Sequence, residues 1–490
     1  MKFGKTIKME MTQELSRLKL QGAKFSMTSD EWTSVRNRKY INVNLHSTGG
    51  KCWNLGLIRA EGSLPAEVIL ENLKTKLMEF QLDLAADMIS ITTDGAKVME
   101  KLGRLVKWEH QLCLAHGIQL AVLDTFYQKS CETRETNDLE ENDDSEDSEA
   151  GNEFSMEVNE ESNEFSHKTL GPVIEKVRKV VRKCKRSPKL NDLLQKYVRQ
   201  DLGFEFTLKL DSKTRWSSLL TMLESILKLK SALQKVWIDT PLSDWDDTLS
   251  EEDFSAVKML VKALTPIKNT VEAICKEDAT LLTADAAINF MLKILESQDS
   301  QITADLLSFL KVRLQYRRTA NSSVLQYLHT GNLDYNSMCK TFGAFFMQPR
   351  QSDIIEVVKK FNHPHGHDDS VSEDSNNFSP SEFDVNKDLK TQLYEAIETA
   401  NKGAHGPGNT RNDPRSMTGI IKKEISLWET TGSRGVWLKN AYDALLSIQP
   451  TSVEAERAFS AAGYLCSKIR SRMGDKTLDT LCFLRYYFRK

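Results

Sequence analysis

The sequence predicts an α/β protein, a mixed β-sheet core interrupted by a large all-helical insertion. Three observations carry this expectation. Residues 24–59 contain three short runs with strand character, the last two alternating apolar and polar side chains with period two. From residue 65 the period changes to that of a helix and then returns once to a strand. From about 168 to 345 only helical spacing remains.

The first strand is expected over 24–30 (KFSMTSD). In the second, 40–46 (YINVNLH), Ile41, Val43 and Leu45 face one way and Asn42, Asn44 and His46 the other, the pattern of a half-buried strand. A Gly49-Gly50 turn leads to 52–59, where Trp53, Leu55 and Leu57 alternate, so the three runs read as an antiparallel meander. Over 65–80, Ile69, Leu73 and Leu77 recur every four residues, with Leu70 beside them, and Pro65 stands where a missing N–H costs nothing. Residues 87–93 (DMISITT) read as a strand ended by Asp94-Gly95, with helices expected at about 95–103 and 111–127. The order β-β-β-α-β-α fits a mixed sheet with helices packed on it.

Residues 131–166 break the pattern. They are acidic and rich in Ser and Asn, a composition expected to be disordered. Helices are expected at 173–184, 217–236 and 254–275, where Leu, Ile and Val recur at helical spacing. Loose stretches are expected at about 362–389 and 401–416, followed by a mainly helical block with a short strand at 445–449 before Pro450. The expected division is therefore the first part of the core (1–130), an acidic insert (131–166), a helical insertion domain (167–361), a loose linker region (362–416) and the rest of the core (417–490).

Composition narrows the function. At 40% hydrophobic residues the chain can bury a sizeable core, and no apolar run reaches the roughly 18 residues needed to span a bilayer. No secretory signal is evident. The eight cysteines include no C-x2-C pair and read as reduced intracellular thiols. The net charge of −3 hides an asymmetry: residues 132–165 hold 15 acidic residues and one basic one, Arg134. The remainder is basic overall, which suits a nucleic-acid partner and no membrane.

Four separated segments resemble one family. They are TSDEWTS (28–34), TTDGAKVM (92–99) with HQLCLAHGIQLAVLD (110–124), TRWSS (214–218) and PTSVEAERAFSAAGYLCSKIRSRM (450–473). In order and spacing they resemble hAT-type DNA transposases, and the last is similar to the hAT C-terminal dimerisation region. The resemblance covers the chain from about residue 20 onward, apart from the loose segments. It implies a ribonuclease-H-like mixed sheet core interrupted by an all-α insertion domain, with 445–449 and the helix after Pro450 completing the core. Many relatives begin with a zinc-binding BED-type finger. No Cys/His finger precedes the first strand here, so a DNA-reading element is expected to be lacking.

The resemblance implies a catalytic and metal-binding triad of Asp30, Asp94 and Glu456. The chemistry is coherent. If the first strand and the strand at 87–93 are parallel neighbours, Asp30 and Asp94 emerge at the same edge. Small residues (Ala455, Ala461, Ala462, Gly463) would let the helix carrying Glu456 approach the sheet. Glu454 is a rival, but the family pattern sets the ligand directly before an arginine. Converging carboxylates call for hard cations, Mg²⁺ or Mn²⁺, and two ions about 3.5–4 Å apart would clamp the attacking and leaving oxygens of a phosphoryl displacement.

Other residues have weaker assignments. Cys113 and His116 have C-x2-H spacing, but a zinc site would need two further ligands. By resemblance His116 lies near the active site, where it could meet a phosphate or carboxylate; plain packing is the alternative. Trp216 resembles a tryptophan that stacks on a displaced base, with Arg215 beside it holding a phosphate; an ordinary core tryptophan is the alternative. Trp32 is expected to pack beneath the active site. Residues 168–189 hold nine basic residues against one acid, and Lys179, Arg182 and Lys183 among them are candidates for backbone phosphates or a nuclear address. His363, His365 and His367 read as incidental. Leu478, Leu481, Leu484 and Phe488 form one stripe of the last helix, and with Phe459 they are the expected dimerisation residues, implying a homodimer or higher oligomer. Two readings follow: a metal-dependent nuclear transposase that cuts and joins DNA, or a domesticated, non-catalytic dimeric regulator of DNA or chromatin.

Overall fold

The alternating run near residue 40 is the second strand of a five-stranded sheet. The computed structural model describes residues 2–129, 163–165, 170–330, 348–362, 417–465 and 474–488, except 35, 36, 48, 49, 63, 107, 213–215, 242–244, 246 and 247. Strands β1 (Phe25–Thr33), β2 (Lys39–Ser47) and β3 (Cys52–Ala60) form the expected antiparallel meander. A helix precedes them, α1 (Lys2–Leu20), which the sequence reading did not foresee. Its signal is the spacing of Ile7, Met11 and Leu15, all buried on the sheet.

Helix α2 (Ala66–Met78) starts after Pro65, and the one-turn α3 (Leu84–Asp87) leads into β4 (Met88–Thr93). Helix α4 (Lys97–Leu105), strand β5 (Glu109–Leu112) and helix α5 (Leu114–Phe126) complete the N-terminal part. The sheet order is β3-β2-β1-β4-β5, with β4 parallel to both its neighbours. The expected helix at 111–127 thus starts three residues later, because His110 to Leu112 pair with β4.

One sheet face is apolar as expected: Met27, Ile41, Val43, Leu45 and Leu55 pack with α1 and α2. The other face is not half-exposed. Asn42, Asn44, Asn54 and His46 are buried on it, and they satisfy one another. Asn54 Nδ2 donates to Asn44 Oδ1 at 2.6 Å, Asn44 Nδ2 donates to Asn42 Oδ1 at 2.7 Å, and His46 Nε2 lies 3.1 Å from Thr28 Oγ1. Burial pushes the His46 pKa down to about 3, so its ring is neutral.

Short strands β6 (Tyr127–Lys129) and β7 (Asn163–Phe165) pair antiparallel and bring together the two ends of the acidic insert. The rest of that insert lies outside the described residues. Helices α6 (Leu170–Arg186), α7 (Pro188–Leu202), α8 (Trp216–Lys228), α9 (Lys230–Asp239), α10 (Glu251–Ile274), α11 (Leu281–Glu296), α12 (Gln301–Arg317) and α13 (Ala320–Thr330) follow. The described part of 170–330 contains no strand. Helix α5 is shared: its Ile118, Val122 and Phe126 belong to the same buried cluster as Leu306, Leu310 and Leu314 of α12. The helical domain is therefore fused to the sheet through one wall.

The remaining described helices are α14 (Gln351–Asn362), α15 (Met417–Thr431), α16 (Val436–Ser447), α17 (Val453–Leu465) and α18 (Asp475–Phe488). The expected strand at 445–449 is absent. Leu438, Ala441 and Leu445 are buried at helical spacing against α14 and α15, so the short apolar run is the end of a helix. The loose stretches expected at 362–389 and 401–416 lie outside the described residues, apart from Asn362, which ends α14. Where described, no helix is long and apolar enough to cross a membrane.

Helix α18 is anchored on β3 by the Asp479 carboxylate. Asp479 accepts the Leu57 N–H at 2.6 Å and lies 3.5 Å from Lys76 Nζ. Gly56, at φ +98°, leaves room for it: a Cβ there would sit 2.2 Å from Asp479 Oδ1. Asp479→Ala should cost about 1.5–3 kcal/mol, the usual worth of a hydrogen bond to a charged group. Urea unfolding of the variant beside the wild type measures this, and an unchanged midpoint would contradict the described anchoring.

Candidate functional site

Parallel pairing of β1 with β4 sets the site. Ser26 lies opposite Ser90 and Thr28 opposite Thr92. Two residues further along stand Asp30, still within β1, and Asp94, just past the end of β4, near enough that the charge of Asp94 acts on Asp30. A backbone N–H fixes each carboxylate. Asp30 Oδ1 accepts the Glu31 N–H at 2.8 Å, and Asp94 Oδ1 accepts the Ala96 N–H at 3.2 Å, where α4 begins. Burial, then repulsion from Asp94, holds the Asp30 carboxyl well above its ordinary value. Burial also raises Asp94, as does the charge of Glu31.

The chain from Ser447 onward crosses this same face. Ser447 Oγ meets Ser26 Oγ at 2.7 Å, and the Gln449 carbonyl accepts from Thr92 Oγ1 at 2.8 Å. The Pro450 carbonyl accepts the Leu114 N–H at 2.9 Å, and Cys113 Sγ accepts the Ser452 N–H at 3.5 Å. Helix α17 then runs over the next level of the sheet, where Phe459 stacks on Trp32 at 5.8 Å and Ala455 and Ala462 join the same cluster. Trp32 accordingly packs inside the fold, as the sequence suggested.

Glu456 sits one residue beyond Ala455, its carboxylate oxygens shielded from solvent. Its charge is felt by Cys113 and Cys275. The rival Glu454 is buried and ion-paired with Arg457, which also donates to the Cys275 carbonyl at 2.9 Å. Glu454 thereby ties α17 to the helical domain. Among the described residues, no three His, Cys, Asp or Glu side chains stand together as a metal-holding group. Asp94 acts on Asp30, while Glu456 stands on α17, which packs on the Trp32 and Tyr40 side of the sheet.

Cys113 is a buried thiol whose pKa is pushed up to about 11, chiefly by burial. It works as a packing and hydrogen-bonding group at the start of α5. His116, one turn on, is pushed down to about 4 by burial and by the neighbouring Arg317 and Arg313, so it is neutral. It borders the Asp94 turn, since a Cβ on Gly95 would lie 3.9 Å from its ring.

Two neighbours were not found from sequence. Glu31, paired with Lys39 at 2.7 Å, adds negative charge beside both aspartates. Arg317, at the end of α12, is the opposing cation whose charge favours ionised Asp94. No sequence motif marks it, because it arrives from the end of the helical insertion.

Several expected DNA contacts are differently placed. Trp216 is only 6% exposed and belongs to the helical core, so its ring has no free face for a base. Arg215 lies outside the described residues. On α6, Arg182 pairs with Glu175 at 3.1 Å and Lys183 lies over the Trp245 ring at 5.3 Å, while Lys179 is exposed. Arg178 of the same run is buried against Asp211 at 2.6 Å, a structural pair. The expected dimerisation stripe is largely turned inward. Leu478 and Phe459 are buried in their own chain, and Leu484 is partly packed on the sheet's apolar core. Leu481 is half-buried, and Phe488 is 61% exposed.

The comparisons with known proteins fall on these elements. Residues 164–263, from β7 to the middle of α10, match the family described as the ZBED1 RNase-like helical domain. Residues 422–488, from α15 to the end of α18, match the hAT family C-terminal dimerisation region. No curated protein matches the chain at a significant level. With a helical insertion and a dimerisation block in this order beside a small mixed sheet, the two matches support an hAT-family transposase-like protein.

Proposed function

We propose that the chain is a dimeric, metal-dependent enzyme that cuts and joins DNA strands at a site built from Asp30, Asp94 and Glu456. In this reading the sheet is a ribonuclease-H-like core. The observation that supports it is the approach of Asp30, in β1, to Asp94, just past the neighbouring parallel strand β4, close enough for the charge of Asp94 to raise the Asp30 carboxyl. Two half-buried carboxylates that repel each other, with oxygen donors, suit Mg²⁺ or Mn²⁺, and Glu456 would join them from α17. Bound there, divalent ions would supply charge neutralisation for the attacking and leaving oxygens of the phosphodiester.

The chain's own residues do the rest. The Asp30 and Asp94 turns hold their oxygens without rearrangement, which is how a site gains from preorganisation. In cleavage, a water oxygen forms the new bond to phosphorus as the P–O3′ bond breaks, the water proton leaving to solvent. In strand transfer the attacking oxygen is a DNA 3′-hydroxyl. Neither step uses a covalent enzyme intermediate. The exposed Lys179, Lys185, Arg186 and Lys189 of the basic run would meet DNA phosphates or serve as a nuclear address.

The second reading is a non-catalytic dimeric regulator of DNA or chromatin. The buried Trp216, with no face for a displaced base, favours it.

Four outcomes are expected. With Mn²⁺ and transposon-end oligonucleotides, the wild type should nick DNA and Asp94→Asn should lose at least about a hundredfold, the scale of a missing electrostatic contact; equal activity removes the catalytic assignment. Without metal, Asp30→Asn should melt above the wild type at pH 7. Because the folded-state pKa of Asp30 is raised, its burial is costless when protonated. The cost grows as pH rises from the ordinary value of 3.8 toward the raised one, so the variants should converge in acid. Adding Mn²⁺ should raise the melting temperature of the wild type more than that of Asp30→Asn, and equal shifts would count against a metal at this pair. In sedimentation the protein should be at least a dimer, and Phe488→Asp with Leu481→Asp should weaken it; a wild type that stays monomeric at micromolar concentration contradicts this.

A further inference from the structure

Arg317 is buried to 3% exposure at the end of α12, yet its guanidinium is poorly satisfied. Among the described residues its Nη1 donates to the Arg313 carbonyl at 3.1 Å, and its Nε finds no acceptor at all. A buried donor without an acceptor is costly, and natural sites seldom keep one without a use.

The side chain lies in a slot made by two glycines. A Cβ on Gly117 would stand 2.6 Å from Arg317 Cδ and 2.9 Å from its Nε. A Cβ on Gly95 would stand 2.8 Å from an Nη. A side chain at Gly117 would force the arginine stem to shift, and one at Gly95 would meet the tip of its guanidinium. These are the glycines of TTDGAKVM and LAHGIQ, in the two motifs that flank the proposed site. The slot thus sets a fixed cation directly behind the turn that carries Asp94.

Its charge acts on Asp94, and the other charges around it are already engaged. Arg313, one turn earlier, is neutralised by Asp124 at 2.7 Å. His116 is neutral, and the Glu100 carboxylate accepts from the Tyr316 hydroxyl at 3.0 Å. A guanidinium is a rigid fork suited to two oxygens of one phosphate. We propose that Arg317 is a phosphate-binding residue which the helical domain contributes to the sheet site, holding a DNA phosphodiester oxygen beside Asp94. This deepens the proposed function and rests on it for the identity of the ligand as DNA. It also gives the helical insertion a direct part in the site, which Trp216 as placed does not.

The test separates binding from chemistry. Full-length protein is titrated into a fluorescent 30-base-pair duplex carrying one nick, in EDTA, at several salt concentrations. Arg317→Gln should weaken binding about five- to tenfold and reduce the slope of log K against log salt by about one. Gly117→Ala, which alters no charge, should reproduce the loss by displacing the arginine. Arg317→Lys should keep the slope and bind less tightly, since a point charge lacks the fork. Unchanged affinity and slope in Arg317→Gln overturns the proposal; where that variant fails to fold, wild-type affinity in Arg317→Lys overturns it. Normal binding losses with no Mn²⁺-dependent nicking by the wild type would leave Arg317 in place and remove the catalytic reading instead.

Discussion

The parallel pairing of β1 with β4 is the constraint on which the rest depends. It brings Asp30 and Asp94 near one another, and it does so at an energetic cost, since each carboxylate is half-buried and each meets negative charge. A sheet edge that carries such a pair needs compensation from elsewhere. Backbone N–H groups of Glu31 and Ala96 give part of it, and Arg317 gives another part from a helix more than two hundred residues away. The fusion of the helical domain to α5 is what makes that contribution geometrically firm.

A second feature follows from the C-terminal block. The segment from Ser447 to Ala462 runs across the polar face of the sheet, and α18 is fastened to β3 through Asp479. The polar face is therefore interior, and its asparagines form a closed hydrogen-bond network in place of a solvated surface. Buried polar networks that are well satisfied fix one arrangement of their elements. Here the network lies beneath the helix that bears Glu456, so the sheet and the dimerisation region share one interior.

Much of this was legible in the sequence. The meander, α2, β4 and the helical character of the middle region all follow from period-two and period-3.6 spacing, while Asp94, just past the strand ending at Thr93, was singled out by resemblance. The misses have physical causes. Alternation of Ile41, Val43 and Leu45 with asparagines tells which faces differ, not whether the polar face meets water. Leu445 to Gln449 is too short an apolar run to separate a strand from the end of a buried helix. Strand β5 is only four residues long and mostly polar, so it carries no period. Arg317 and the two glycines that house it come together only in three dimensions, and no local pattern of residues could have joined them. Trp216 was assigned to a base by resemblance, while its own helix buries it in the core.

The central claim is that Asp30, Asp94 and Glu456 serve one cation site although they come from distant parts of the chain. The most direct measurement is Mn²⁺ binding followed by electron paramagnetic resonance, comparing the wild type with Glu456→Gln at neutral pH. The account predicts saturable Mn²⁺ binding that Glu456→Gln weakens and whose signal changes with the loss of a carboxylate ligand. Binding by Glu456→Gln with unchanged affinity and an unchanged signal would contradict it.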